Sequence, residues 1–373
     1  MSRRSIDELL RDLSRPDGAD EPEAIAEAWS GEAASAFQDA VARHRLDAAA
    51  SDGLRRAGAP VDPELDLVVD DDRRVRLLAR RALNTASAAF DDAEVPWVVF
   101  KGPAISRLMT RPELRTFNDL DLLVPAASFG TAVDALIDAG VEEVNENWEP
   151  YLRHGVGEVP MAVSGVTVDV HWHITGLARD RSMFRLDPEV MLDRRVERTV
   201  DESKAGVFDP VDQLLHLSLH AALGGGTRLD QFRDVAVVSA GETIDWDLLV
   251  ERARAAWIDG LVGHVLDRAT IAGPADVPEE VVTELAGAGS VARRRRLDDS
   301  RVDGLRGLPV LLRRRRATDV GRVVVRQVLD RLPGSARRGW DFTDPQSRLY
   351  QGTPSGGASG RRAYLDAVER GAL

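Results

Sequence analysis

VPWVVFKGPAISRLMTRPELRTFNDLDLLV, residues 95–124, holds two strand patterns, a turn and a helix pattern in one run. VPWVVF is a short apolar stretch suited to a buried strand, KGP is a turn, AISRLMTR reads as a short helix, and DLDLLV alternates as a second strand. Successive strand side chains point to opposite faces, so Leu120 and Leu122 enter the core while Asp119 and Asp121 project together toward solvent. Such a pair can chelate a hard cation. Further along, VTVDVHWH at residues 166–173 places Asp169, His171 and His173 on one face and Val168, Val170 and Trp172 on the other. If that strand lies beside the first, Asp169 completes a triad of carboxylates.

These residues carry a resemblance. Strand, Lys-Gly turn, short helix, Arg115 ahead of Asp-Leu-Asp, and a later apolar-Asp-apolar strand resemble the nucleotidyltransferase superfamily with the DNA polymerase β type core. A closer likeness is to a bacterial family of uncharacterised nucleotidyltransferases, carried by Phe100-Lys101-Gly102, by Arg115 with Asn118-Asp119-Leu120-Asp121-Leu122-Leu123-Val124, by Asp169-Val170-His171-Trp172, and by Leu214-Leu215-His216-Leu217 with His220. It covers about residues 95–261. The fold it implies is α+β: a polymerase β-like core, a small mixed sheet with helices, flanked by N-terminal and C-terminal helical regions.

The resemblance also implies a reaction. A nucleoside monophosphate passes from an NTP such as ATP to a hydroxyl or phosphate acceptor, and pyrophosphate leaves. Asp119 and Asp121 would hold two Mg²⁺ ions, with Mn²⁺ as a substitute, and Asp169 the one that activates the acceptor hydroxyl. Gly102 lets the backbone approach the triphosphate, and a helix N-terminus beyond it offers unpaired N–H groups. Lys101 and Arg115 would neutralise phosphate oxygens, the arginine as a bidentate donor, although a surface ion pair is an equal reading of either. Pro103 stands where the family pattern has a second small residue, and it removes one N–H donor. The likeness also puts His220 and Asp234 at the border of the cleft.

Composition sets the frame. The chain has 373 residues, 43% of them hydrophobic and 30% charged, which describes a globular protein with ample core and room for more than one domain. Cysteine is absent, which excludes disulfides and thiolate metal sites. Charged residues follow the N-terminal arginines where a signal peptide needs an apolar segment, and no run approaches the roughly 20 apolar residues of a membrane span. A cytoplasmic location is therefore expected, with no membrane partner. The net charge of −13 opposes sequence-blind binding to DNA. Arg293 to Arg296 and Arg313 to Arg316 are two arginine runs, read as solvated helix faces or as holders of a polyphosphate or RNA backbone. Lys101 and Lys204 are the only lysines among 49 basic residues, so a lysine kept in the turn beside Gly102 hints at use.

Four regions separate along the chain. Residues 1–93 read as helical, with Ser5 and Glu8 in a capping-box pattern; residues 94–204 form the core; residues 205–285 return to helices that would line a cleft; residues 286–373 contain helical fragments and QGTPSGGASGRR, whose composition predicts a flexible tail. His171 reads as a pocket residue, and His173 equally as a site residue or a structural one. His216 and His220 share a helix face and read as packing histidines or as zinc ligands. Two further functions stand beside the leading one. One is a non-catalytic nucleotide- or partner-binding protein on the same fold. The other is a metal phosphohydrolase using Asp169, His171 and His173. The acceptor, whether small molecule, protein or RNA, and the oligomeric state have no signature in the sequence.

Overall fold

Alternation in the two quoted strands becomes a five-stranded sheet in the computed structural model, which describes residues 4–145, 147–163, 165–176, 178–181, 184–224, 226–273, 275–286 and 357–373. The strands are β1 Val98–Val99, β2 Asp119–Leu123, β3 Glu142–Glu143, β4 Glu158–Val163 and β5 Val166–His171, in the spatial order β1-β2-β5-β4-β3. β2 and β5 run parallel, and the other pairs are antiparallel. A separate hairpin joins β6 Val196–Val200 to β7 Ser203–Val207. Its two loop residues, Asp201 and Glu202, both have positive φ, 45° and 72°, as a two-residue turn matching strand twist demands.

The chain divides into two compact units that do not follow chain order. One contains the described residues within 4–74, 105–117 and 210–286; the other contains 75–104, 118–209 and 357–373. The first is helical: the capping box of Ser5 and Glu8 forms at the start of helix Ile6–Leu13, and helices Pro210–Leu223, Leu229–Gly241, Trp246–Ala255 and Asp259–Ala272 follow later. The second holds the sheet.

The sheet uses its two faces differently. Leu120, Leu122, Val159, Met161, Val168 and Val170 point to one face and are at most 1% exposed. They pack in one core with Leu83 and Phe90, with Phe129, Val133 and Leu136 of helix Phe129–Asp138, and with Trp148 and Tyr151 of helix Trp148–His154. Each such side chain contributes about 1.5–3 kcal/mol through burial, which is why the strand register is fixed: a slip by one residue would turn this whole set outward. The opposite face carries a smaller apolar group, Val98, Phe100, Leu123, Met191, Leu192 and Phe208, and beside it the polar residues.

The C-terminal segment differs from its reading as a flexible tail. Gly357–Glu369 is a helix, and its Tyr364, Leu365 and Val368 are buried in the sheet's core. Composition rich in Gly and Ser points to flexibility, but three large apolar groups fall on one helical face, and their burial overrides it. The arginine runs at Arg293 to Arg296 and Arg313 to Arg316 lie outside the described residues. Among the described residues no helix is long and apolar enough to cross a membrane.

Candidate active site

Parallel pairing of β2 with β5 sets Asp121 opposite Asp169 and Asp119 opposite Thr167. The two-residue period keeps Asp119, Asp121, Asp169 and His171 on the face away from the main core. The shared face follows the sequence pattern; the solvent exposure expected for Asp121 does not, while Asp119 and Asp169 are half-buried. Asp121 is 2% exposed and His171 4%. Phe100 supplies the reason: its ring lies against Phe208 and meets the His171 ring edge-on, with centroids 5.0 Å apart, roofing this end of the sheet.

A buried carboxylate needs counter-charge, and Asp121 finds it locally. Lys101 Nζ lies 2.5 Å from Asp121 Oδ1, and His171 Nε2 lies 3.1 Å from the same oxygen. Burial disfavours the ionised form of Asp121, but Lys101 and the His171 hydrogen bond outweigh it and hold the carboxyl well below the usual range. Lys101 is pushed the other way, above the ordinary lysine value, because Asp121 and Asp119 outweigh its desolvation. Asp119 and Asp169 have no such contact: among the described residues neither makes an ion pair or side-chain hydrogen bond. Burial first, then Asp121, raises Asp119; burial first, then Glu158 and Asp121, raises Asp169 well above the ordinary carboxylate range.

Glu158 was missed by sequence reasoning. β4 is antiparallel to β5 with Glu158 opposite His171, so the glutamate stands on the carboxylate face, its Oε2 3.0 Å from His171 Nδ1. The Pro within EVPMAV hid the strand. Antiparallel pairing with VTVDVH was the signal that could have found it.

Three expected contributions are corrected by the structure. His173 does not continue the face of Asp169. The amides of Trp172 and His173 both donate to Gly157 O, at 2.9 and 3.1 Å, a two-against-one bulge that ends the alternation after His171. His173 Nδ1 then accepts from the Thr175 amide at 3.0 Å, and burial with Arg181 nearby pushes the ring down to about 3. Second, the helix after Gly102 is only Pro103–Ser106, a single turn in which aligned peptide dipoles amount to little. Gly102 itself has φ of 49° and makes the left-handed turn expected of it. Third, Arg115 makes the ion pair that was one of its two readings, but a buried, bidentate one in place of a surface one. Its Nε and Nη2 donate to Asp234 at 2.8 and 2.7 Å, in the helical unit, where both residues are 8% exposed. His216 and His220 belong to that unit too, stacked with ring centroids 6.0 Å apart.

For a cation, the donor set fits in kind: hard oxygens on one sheet face, with an ammonium standing where positive charge is needed. The geometry is closed around Lys101 instead, and among the described residues no three His, Asp or Glu side chains converge to hold an ion. The expected ligand set of Asp119, Asp121 and Asp169 is thus gathered on one face but not drawn together.

The sequence model of a family described as uncharacterised nucleotidyltransferase matches residues 30–270. The chain belongs to this family. No curated protein matches it. The match spans most of both compact units, so the nucleotidyltransferase assignment takes in the helices around Arg115 and Asp234 as well as the sheet. A mixed α+β fold with a small five-stranded sheet is compatible with a nucleotidyltransferase core.

Proposed function

We propose that the chain is a metal-dependent nucleotidyltransferase that moves a nucleoside monophosphate from an NTP to a hydroxyl or phosphate acceptor and releases pyrophosphate. The observation that carries this reading is the register of Asp121 opposite Asp169, with Asp119 on the same face: three acids gathered beside a single lysine. Mg²⁺ or Mn²⁺ bound there would polarise the phosphate and lower the pKa of an attacking hydroxyl. Asp119 and Asp121 would hold two such ions, and Asp169 the one that activates the acceptor hydroxyl.

The chain's own residues account for the remaining steps. Asp169, raised by burial and by Glu158, is suited to receive the acceptor's proton. The acceptor oxygen forms a bond to the α-phosphorus, the bond from that phosphorus to the bridging oxygen breaks, and the electron pair leaves with pyrophosphate. Lys101, paired with Asp121 here, would neutralise phosphate oxygens of the donor. The left-handed turn at Gly102 keeps a side chain out of their way. A cysteine-free chain suits a reducing setting, and a cytoplasmic site of action is part of the same proposal.

Calorimetric titration of each NTP, with and without Mg²⁺, tests this on the wild type and on the Asp119→Asn, Asp121→Asn double variant. Magnesium-dependent binding that the double variant loses supports the reading and names the donor. No binding of any NTP to folded wild type refutes it. A nucleotide-binding protein without turnover is the second reading, favoured by Pro103 and by the closed Lys101–Asp121 pair; NTP binding indifferent to all three Asp→Asn changes, with no pyrophosphate formed, would establish it.

A further inference from the structure

In the steps above Glu158 enters only through its charge near Asp169, yet the strand register also sets it opposite His171. β3 pairs with β4 only at Met161 and Ala162, so the Glu158 end of β4 has an open outer edge, and Pro160 costs no ladder hydrogen bond there. The glutamate is thereby left half-buried beside a fully packed imidazole. His171 Nδ1 lies 3.0 Å from Glu158 Oε2, an ion-pair distance without hydrogen-bond alignment, and Nε2 lies 3.1 Å from Asp121 Oδ1. The ring between them is clamped: it is 4% exposed, with Phe100 edge-on at an interplanar angle of 79°. One carboxylate at each nitrogen of an immobile imidazole makes a strut running from β4 through β5 to β2.

This strut, together with Lys101 Nζ, takes up one oxygen of Asp121. We infer that Glu158 is a positioning residue, acting through His171 to hold Asp121 Oδ1 and so to present Asp121 Oδ2 to a divalent cation, a role that rests on the nucleotidyl-transfer reading. A carboxylate against the far nitrogen of a histidine helps to set its ring plane, and the group the ring holds keeps its orientation. Without Glu158 the imidazole loses that contact at Nδ1, and Asp121 can turn about its own side-chain torsion. A Glu158 that bound the cation itself, or acted by charge alone, would have the same effect whether or not His171 were present.

A double-mutant cycle read by Mn²⁺ calorimetry on the full chain separates these. Glu158→Gln is expected to weaken Mn²⁺ binding about tenfold alone and less than about twofold when His171→Gln is already present. Equal losses in both backgrounds, or none in either, overturn the role. A second readout needs no metal: the ¹⁵N shifts of the two His171 ring nitrogens should change in Glu158→Gln, and unchanged shifts overturn the role. Wild type that binds no Mn²⁺, with or without NTP, overturns the nucleotidyl-transfer reading and this role with it. Mn²⁺ binding abolished by Asp121→Asn, with an additive cycle, overturns the Glu158 role alone.

Discussion

Buried acids in the two compact units meet opposite fates. In the helical unit three acids each have a guanidinium fitted to them: Asp234 takes both prongs of Arg115, the half-buried Asp52 takes Nη1 and Nη2 of Arg111 at 2.7 and 2.6 Å, and the fully buried Asp212 takes Arg252 at 3.0 Å. On the sheet, Asp119, Asp121, Asp169 and Glu158 share one ammonium and one imidazole, and both of those are spent on Asp121 and its neighbour. One-to-one pairing holds a fold together. An unbalanced cluster works against the fold, by several kcal/mol if two like charges are pressed together in a weakly screened site, and persists where a cation or phosphate chemistry needs it.

Breaking the comparison from the sheet side should have the largest effect. Asp121→Asn and Asp169→Asn should each lower pyrophosphate release by about 10³-fold, since several kcal/mol of transition-state stabilisation are lost. Rates within tenfold of wild type would place the chemistry elsewhere. From the helical side, Asp234→Ala removes the acceptor of both Arg115 prongs and should cost about 3–5 kcal/mol in urea unfolding. A loss under 1 kcal/mol would mean that the fork is dispensable.

A smaller effect carries the opposite sign. Without divalent cations, Asp169→Asn should stabilise the protein by about 1–2 kcal/mol at pH 8, because the folded state resists the charged carboxylate. The folded pKa is raised, so wild type recovers stability as pH falls through that value, and the variant's advantage fades there. Melting curves from pH 8 to pH 5 would show it; an advantage constant with pH would deny the carboxylate's part. Smallest is Tyr364→Phe, about 1 kcal/mol, from the hydroxyl that donates to Val156 O at 2.6 Å and accepts from Trp172 Nε1 at 2.9 Å. Burial pushes this phenol well above its ordinary value, so its contribution is complete below about pH 10 and lost as pH rises toward the folded value. Alkaline titration should then show its tyrosinate absorbance appearing only with loss of ellipticity.

What the sequence made legible was local. DLDLLV and VTVDVH announce their faces through a period of two, and that alternation alone is enough to assign Asp119, Asp121 and Asp169 to the polar side of their strands. Whether Asp169 faces Asp121 depended on parallel pairing across a long connection, which no local pattern encodes. The same limit hid the partner of Arg115, 119 residues away, and that of Lys101, whose short distance to Asp121 in space has no mark in its own turn. Glu158 was lost because a proline demotes a strand unless its edge is known to be open. His173 was misplaced because a bulge, written only in the approach of Gly157 to the backbone, breaks the period.

The helix Gly357–Glu369 gives this protein a schedule. The Gly130 amide donates to Glu369 across 239 residues of chain, and Trp148 and Tyr151 pack against Tyr364 from the same helix. At 5–20 residues per second, a ribosome needs about 10–50 s between making one partner and the other. Through that interval the nascent sheet carries an uncovered aromatic cluster, so the acids of the candidate site are synthesised long before the core beneath them can close.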